Sequence, residues 1–206
     1  MTAIEFITLD VADTEAANRF YTNAFGADLR IRVRPAQPAT TGFRGYTLSL
    51  IVSQPANVDL LVAAALDGGA TSLKPAAKSL WGYGGSVRAP DGAIWTIATS
   101  SKKDTEPASR KVDDLVLSLG VDDVVASKRF YAEQGLAVGK SFARMYVEFE
   151  SGEGSVKLAL NRRRALAKNA GVDPGGTGSH RLTIGGGAFT DPDGFAWEPA
   201  TSAAKQ

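Results

Sequence analysis

The chain has 206 residues and no cysteine among them. That absence excludes disulfides, cysteine-ligated zinc or iron–sulfur centres and cysteine nucleophiles. It has one histidine, His180, and no Gly-x-Ser-x-Gly elbow, so a serine triad has almost no material to build on. Neither sign of charge prevails: Lys and Arg number 23, Asp and Glu 22, for a formal net charge of +1. No electrostatic case for nucleic acid or an anionic membrane follows. The longest apolar run, Leu60 to Leu66, is too short to span a bilayer. The start, Met1-Thr2-Ala3-Ile4-Glu5, lacks the basic segment of a secretory signal. The glycine runs at Gly82-Tyr83-Gly84-Gly85 and Gly185-Gly186-Gly187 lack the spacing and the lysine of a phosphate loop, and read as bends. An ordinary globular composition, 44% hydrophobic and 22% charged, points to a soluble, cytoplasmic protein.

What is present is a repeat. Thr8 to Asp13 runs on to Arg19-Phe20-Tyr21, and Ser118 to Asp123 runs on to Arg129-Phe130-Tyr131; the offset is 130 − 20 = 110. A second pair closes each copy, Ala89-Pro90-Asp91-Gly92-Ala93-Ile94-Trp95 and Asp191-Pro192-Asp193-Gly194-Phe195-Ala196-Trp197, at an offset of 197 − 95 = 102. A fixed-offset repeat in a chain of this length predicts two modules. We place the first at 1–99, a polar linker without apolar anchors at 100–110, and the second at 111–206. The second is about eight residues shorter inside (110 − 102), between Leu160 and Phe189.

Along the chain, Ile4 to Val11 alternates as a strand, with Ile7, Leu9 and Val11 on the core face and Phe6, Thr8 and Asp10 on the other. Asp13 caps a helix to Phe25, which Gly26 ends. Ala27 to Val33 is a strand, with Arg30, Arg32 and Arg34 on a solvated face. Pro35 to Thr41 is loop, Phe43 to Val52 a strand and Val58 to Leu66 a helix. Strands follow at Thr71 to Lys74, Ser86 to Arg88 and, after a tight turn, Ala93 to Thr99. In the second module we read a strand at Asp114 to Val121 and a helix capped by Asp123. Strands at Val138 to Lys140, Arg144 to Glu150 and Ser155 to Leu160 follow, the last two joined as a hairpin. Arg162 to Asn169 is helical, Gly171 to Gly178 a flexible loop, and Arg181 to Ile184 and Phe195 to Pro199 are strands.

A strand, an acidic cap, a helix carrying Phe-Tyr and a closing Pro-Asp-Gly turn, all doubled, resemble the vicinal oxygen chelate superfamily. That group includes glyoxalase I, bleomycin-resistance proteins and ring-cleaving dioxygenases. The resemblance implies an α+β fold of two tandem βαβββ modules whose curved mixed sheets form a shared cavity. It also implies where a metal is held. Relatives carry a His or Gln fourteen residues before the Phe of the helix motif, and a Glu five residues after the turn Asp. Here those positions are Phe6, Val116, Thr96 and Glu198. One ligand of four survives, and a lone carboxylate does not hold a divalent cation usefully. The resemblance then implies a non-catalytic protein that binds a small, partly aromatic molecule without metal or other cofactor. The alternative is a divergent metal-dependent lyase, like lactoylglutathione lyase, or a dioxygenase.

The expected ligand-binding set is Phe6, Thr8, Phe43, Tyr46, Trp81, Thr96, Val116, Ser118, Tyr146 and Glu198. Trp95 and Trp197 have the opposite parity to Thr96 and Glu198 and read as core. His180 reads as an ordinary loop histidine, and Asp114 as a solvated strand end. A flat aromatic ligand burying on the order of 300 Å² would gain roughly 7 kcal/mol, against an association cost of about 4 kcal/mol or more. Stacking and a few polar contacts are therefore needed as well. The expected partner is a small-molecule ligand, with no nucleic acid or membrane, in a monomer or homodimer.

Overall fold

The computed structural model describes residues 3–200 except Asp28, Gln37 and Glu153. Those three fall in the expected strand Ala27 to Val33, the loop at 35–41 and the hairpin turn at 151–154, and lie outside the described residues. In the first half the elements are β1 (Phe6–Val11), α1 (Thr14–Phe25), β2 (Ile31–Pro35), β3 (Thr40–Gly42), β4 (Tyr46–Ile51), α2 (Pro55–Asp67), β5 (Thr71–Ser79), β6 (Gly82–Arg88) and β7 (Ile94–Thr99). In the second they are β8 (Asp114–Val121), α3 (Val124–Glu133), β9 (Val138–Phe142), β10 (Tyr146–Phe149), β11 (Lys157–Arg162), α4 (Arg163–Ala170), β12 (Gly176–Gly178), β13 (Leu182–Gly185) and β14 (Ala196–Glu198).

The helices start where their caps lie. The Asp13 carboxylate accepts from Ala16 N, and that of Asp123 from Val125 N and Ala126 N. Among the segments that depart from the sequence reading are two rich in glycine. The Gly82–Gly85 run is no bend: it lies in β6, paired with β5 and β7, where missing side chains let the neighbouring backbone close in. The segment at 171–178 is anchored, because β12 pairs with β3 from the other half.

Strand order makes the architecture. A large sheet runs β5-β6-β7-β4-β8-β11-β10-β9, and a small one β14-β13-β1-β2. Each takes strands from both halves, four and four in the large sheet and two and two in the small. The same local pairing occurs in both. β8 lies beside parallel β11 and antiparallel β4, which is parallel to β7; β1 lies beside parallel β2 and antiparallel β13, which is parallel to β14.

Registers turn that equivalence into arithmetic. Thr8 faces Arg32 and Ser118 faces Ala159, so the offset grows from 110 to 159 − 32 = 127. Phe6 faces Gly185 and Val116 faces Ser49, which gives 185 − 49 = 136. At β14 and β7 it has dropped to 102. The net difference of eight residues thus conceals a gain of 136 − 110 = 26 and a loss of 136 − 102 = 34. The gain is the β9–β10 hairpin and α4; the loss is the stretch that builds α2, β5 and β6 in the first half. The large sheet keeps both complements, and the small sheet has lost them.

The core lies on one face of each sheet. Leu48, Leu50, Trp95, Ile97, Leu117, Leu119, Leu158 and Leu160 come from the large sheet, and Ile7, Leu9, Val11 and Ile184 from the small one. The repeated Phe-Tyr pairs join them. Tyr21, on the helix after small-sheet β1, packs on large-sheet Trp95 at 5.4 Å between ring centroids, and Tyr131, after large-sheet β8, packs on small-sheet Trp197 at 5.7 Å. Both tryptophans are buried, as their parity predicts. Helix α4 lies on the opposite face of the large sheet with Phe43, Ile94, Leu166, Ala167 and Ala170. Gly120 makes room for it: a Cβ there would lie 3.0 Å from Arg163 Cα. Ser86 Oγ donates to Ala170 O at 2.8 Å and fixes the far end of the helix.

Candidate functional site: two polar sheet faces and a cleft

The four positions at which relatives hold a cation fall in pairs, one pair on each sheet. Phe6 and Glu198 flank Gly185 across β1-β13-β14; Val116 and Thr96 flank Ser49 across β8-β4-β7. Both trios occupy the face opposite the apolar core, so alternation along the strands places them as the repeat predicts.

On the small sheet this face is an ion-paired lattice. Arg34 lies 2.9 Å from Asp10 Oδ1 and 3.7 Å from Glu198 Oε2, and its Nη2 donates to Thr183 Oγ1 at 3.0 Å. Thr8 Oγ1 donates to the other Glu198 oxygen at 3.2 Å. The Arg32 guanidinium sits 3.5 Å over the Phe6 ring. Gly185 allows this, because a Cβ there would lie 2.4 Å from that ring. The β2 arginines are exposed, as expected of a solvated strand face, and Arg32 and Arg34 also reach across the polar side of the small sheet. On the large sheet Ser49 Oγ and Thr96 Oγ1 bond each other at 2.5 Å, beside half-buried Val116 and buried Ser118.

These residues do not fit a divalent cation. Phe6 and Val116 offer no donor, Thr96 is bonded to Ser49, and both Glu198 oxygens have partners already. Among the described residues no group of three or more His, Asp or Glu converges on one point. Asp114 is on the other sheet from Glu198 and pairs with Lys157 at 2.7 Å, so the two carboxylates do not meet.

The remaining expected residues scatter. Tyr46 is in the core beside Leu48; burial pushes its hydroxyl up to about 12. Phe43 is buried under Arg163 and α4. Trp81 is 84% exposed at the tip of the β5–β6 hairpin. Tyr146 donates to Glu148 Oε2 at 2.8 Å, and burial followed by that carboxylate raises its pKa. His180 is a structural link, stacked on Phe195 at 3.8 Å with its ring nitrogens against the carbonyls of Arg44 and Asp193.

A cleft opens elsewhere, and none of the ten expected residues is among those that line it. Its volume is about 650 Å³. It opens between Phe25, Gly26, Leu29 and Arg30 on one side and Ser151, Gly152 and 154–157 on the other, residues of the segments that lead into the equivalent strands β2 and β11, with 110–115 along its side. Phe25, Leu29, Val112, Leu115 and Val156 supply apolar surface; Arg30, Arg110, Lys111 and Lys157 supply cations against Asp113 and Asp114. By the offset of 127, Arg30 and Lys157 are counterparts. No sequence signal marks these residues, since they meet only through pairing of the two halves.

No protein-family model and no curated protein sequence matches the chain. Solved structures do. The V278E mutant of glyoxalase I from Zea mays superposes with a TM-score of 0.60 over 97% of this chain and 92% of that one, at 14% identity. Glyoxalase I from Zea mays gives 0.59 over 90% and 74%, at 13% identity. A putative dioxygenase from Bacillus subtilis subsp. subtilis str. 168 gives 0.53 over 93% and 72%, at 12% identity. This chain has the vicinal oxygen chelate fold. At these identities the likeness extends to the fold alone. Within that fold, the polar sheet faces carry the positions at which the resemblance implies a cation, and the cleft is a separate opening between the halves.

Proposed function

We propose that this vicinal oxygen chelate fold serves to bind a small, partly aromatic molecule without a divalent cation or catalysis, in the cleft between its two halves. The observation that carries the reading is the contrast between two places. The positions that hold a cation in relatives offer one carboxylate, already tied to Arg34 and Thr8. The cleft, at about 650 Å³, is within the range of small-molecule sites, roughly 300–1,000 Å³. Its apolar side chains favour a flat hydrocarbon body, and among the described residues that line it four cations against two carboxylates favour a negatively charged edge.

The test uses 8-anilinonaphthalene-1-sulfonate, a flat aromatic anion. Folded protein is expected to bind one equivalent, with a rise in melting temperature unaffected by chelator, and Leu29→Asp or Val112→Asp is expected to weaken binding at least tenfold. Binding that ignores both substitutions would refute the cleft. Stoichiometric nickel, zinc, iron or manganese in protein purified without chelator would refute the metal-free reading and favour a lyase or dioxygenase.

A further inference from the structure

At the other end of β8 and β11 the molecule presents a concentration of arginine that its backbone contacts use only in part. Arg162, Arg163 and Arg164 are consecutive, and Arg144 on the β9–β10 turn joins them around a concavity of about 390 Å³. Two of the four guanidinium groups are partly engaged with backbone. Arg163 donates to Phe43 O at 2.5 Å and Pro174 O at 3.0 Å, and it lies over the Phe43 ring. Arg162 Nε donates to Arg144 O at 3.1 Å, which holds the turn, and Arg144 with it, against the start of α4.

Helix stability does not account for the run. Arg163 and Arg164 stand in the first turn of α4, where the helix dipole disfavours positive charge. Neighbouring guanidinium groups also repel one another. Among the described residues, Arg144, Arg162 and Arg164 have no carboxylate within ion-pair distance, whereas other arginines of this chain, Arg19, Arg34 and Arg129, do. Two carboxylates border the concavity. That of Asp123 is occupied in capping α3, and that of Asp122 stands free of the arginines. Four cations and two carboxylates leave a surplus of two positive charges around one concave space.

We propose that this concavity is a binding site for the phosphate of a small phosphomonoester, held by Arg144, Arg162 and Arg164. A phosphomonoester carries about −1.5 to −2 charge at pH 7 and three acceptor oxygens. It therefore matches the surplus, and planar guanidinium forks bind such oxygens in pairs. The site is independent of the cleft: it borders the Val121 and Arg162 ends of β8 and β11, the cleft their Asp114 and Lys157 ends.

The probe is phenyl phosphate, titrated into the full chain while arginine side-chain and backbone amide NMR signals are followed. Inorganic phosphate is a second arm, and sodium chloride at equal ionic strength is the control. Saturable shifts confined to 121–124, Arg144 and 162–164 are expected with both phosphates, tighter for the ester. Arg144→Gln and Arg164→Gln, both on the surface, are each expected to weaken binding about tenfold or more, the effect of losing one charge-assisted contact. Asp122→Asn is expected to tighten it. Equal shifts with chloride, or affinities indifferent to all three substitutions, would overturn the proposal. Preserved amide spectra in the variants exclude loss of fold as the reason for weakened binding.

Discussion

The tyrosines of the repeated motif show why those residues recur. Tyr21 donates to Asp91 Oδ2 at 2.5 Å and Tyr131 to Asp191 Oδ2 at 2.6 Å, so each helix is tied to the turn that closes its copy. The tie is the same but the acid is not. Asp91 follows the turn proline, whereas Asp191 precedes it, and Asp193, the sequence counterpart of Asp91, instead takes Ser127 Oγ and Asp122 N. Sequence could show that both motifs were kept, but not which oxygen each hydroxyl reaches. Tyr131→Phe takes the hydroxyl donor from Oδ2 of the buried Asp191 carboxylate, whose Oδ1 keeps the N–H groups of Asp193 and Phe195, and should cost about 1.5–3 kcal/mol. Tyr83→Phe, whose partner Asp59 is at the surface, should cost less than about 1 kcal/mol. Urea unfolding of the two variants checks the order.

The same hydroxyls set the alkaline limit. Burial first, and Asp91 or Asp191 second, hold Tyr21 and Tyr131 well above the ordinary 10.0, and burial raises Tyr46 to about 12. A raised pKa means that the folded chain keeps protons the unfolded chain releases. The contribution of these groups is therefore complete below pH 10 and is lost as pH rises through the folded values. The urea midpoint should fall once pH passes about 10, and tyrosinate absorbance from these three should appear only with unfolding. Early, reversible ionisation of all five tyrosines in the folded protein would contradict this.

At the scale of elements, the polar linker shows how much a sequence reading can miss. Ser100 to Arg110 has no apolar anchor, as its composition indicates, yet it is held. The buried Gln54 side chain accepts from Thr105 N at 2.9 Å and Glu106 N at 3.0 Å, and donates to Glu106 O at 2.7 Å. Asn57 Oδ1 accepts from Ser109 N at 2.8 Å, and Asp104 Oδ1 accepts from Ala56 N at 2.7 Å where α2 begins. Hydrophobic periodicity cannot report an anchor made of amides. Gln54→Ala removes both donor and acceptor, and should lower stability by about 1–3 kcal/mol. Amide exchange at 105–109 should quicken more than exchange in β7. Strand positions, caps and both buried tryptophans were legible, because alternation and capping are local. The added α4 and β9–β10 hairpin and the missing counterparts of α2, β5 and β6 were not. A net offset of eight cannot reveal a gain and a loss that nearly cancel.

At the scale of the whole molecule, the central strand pair of each sheet joins the two halves: β4 pairs with β8, and β1 with β13. Cutting the chain within 100–110 should therefore leave two fragments with little fixed structure apart and a native-like one when mixed. Circular dichroism and amide NMR of the separate and combined pieces decide it; independent folding of either would contradict the prediction. The candidate site was legible to the same degree as the pairing. The polar face could be named from parity, whereas the cleft, made where the halves meet, could not.

The cleft lies between segments that are counterparts, with Arg30 and Lys157 at matching places on its two sides. An opening shared in this way cannot be duplicated within one chain, so occupancy counts to one and the saturation curve is a plain hyperbola. The two sides nevertheless differ: Lys157 already leans on Asp114, while among the described residues Arg30 reaches only the Glu5 carbonyl, at 3.3 Å. A guest with a single acidic end would thus enter in one orientation, that end toward Arg30.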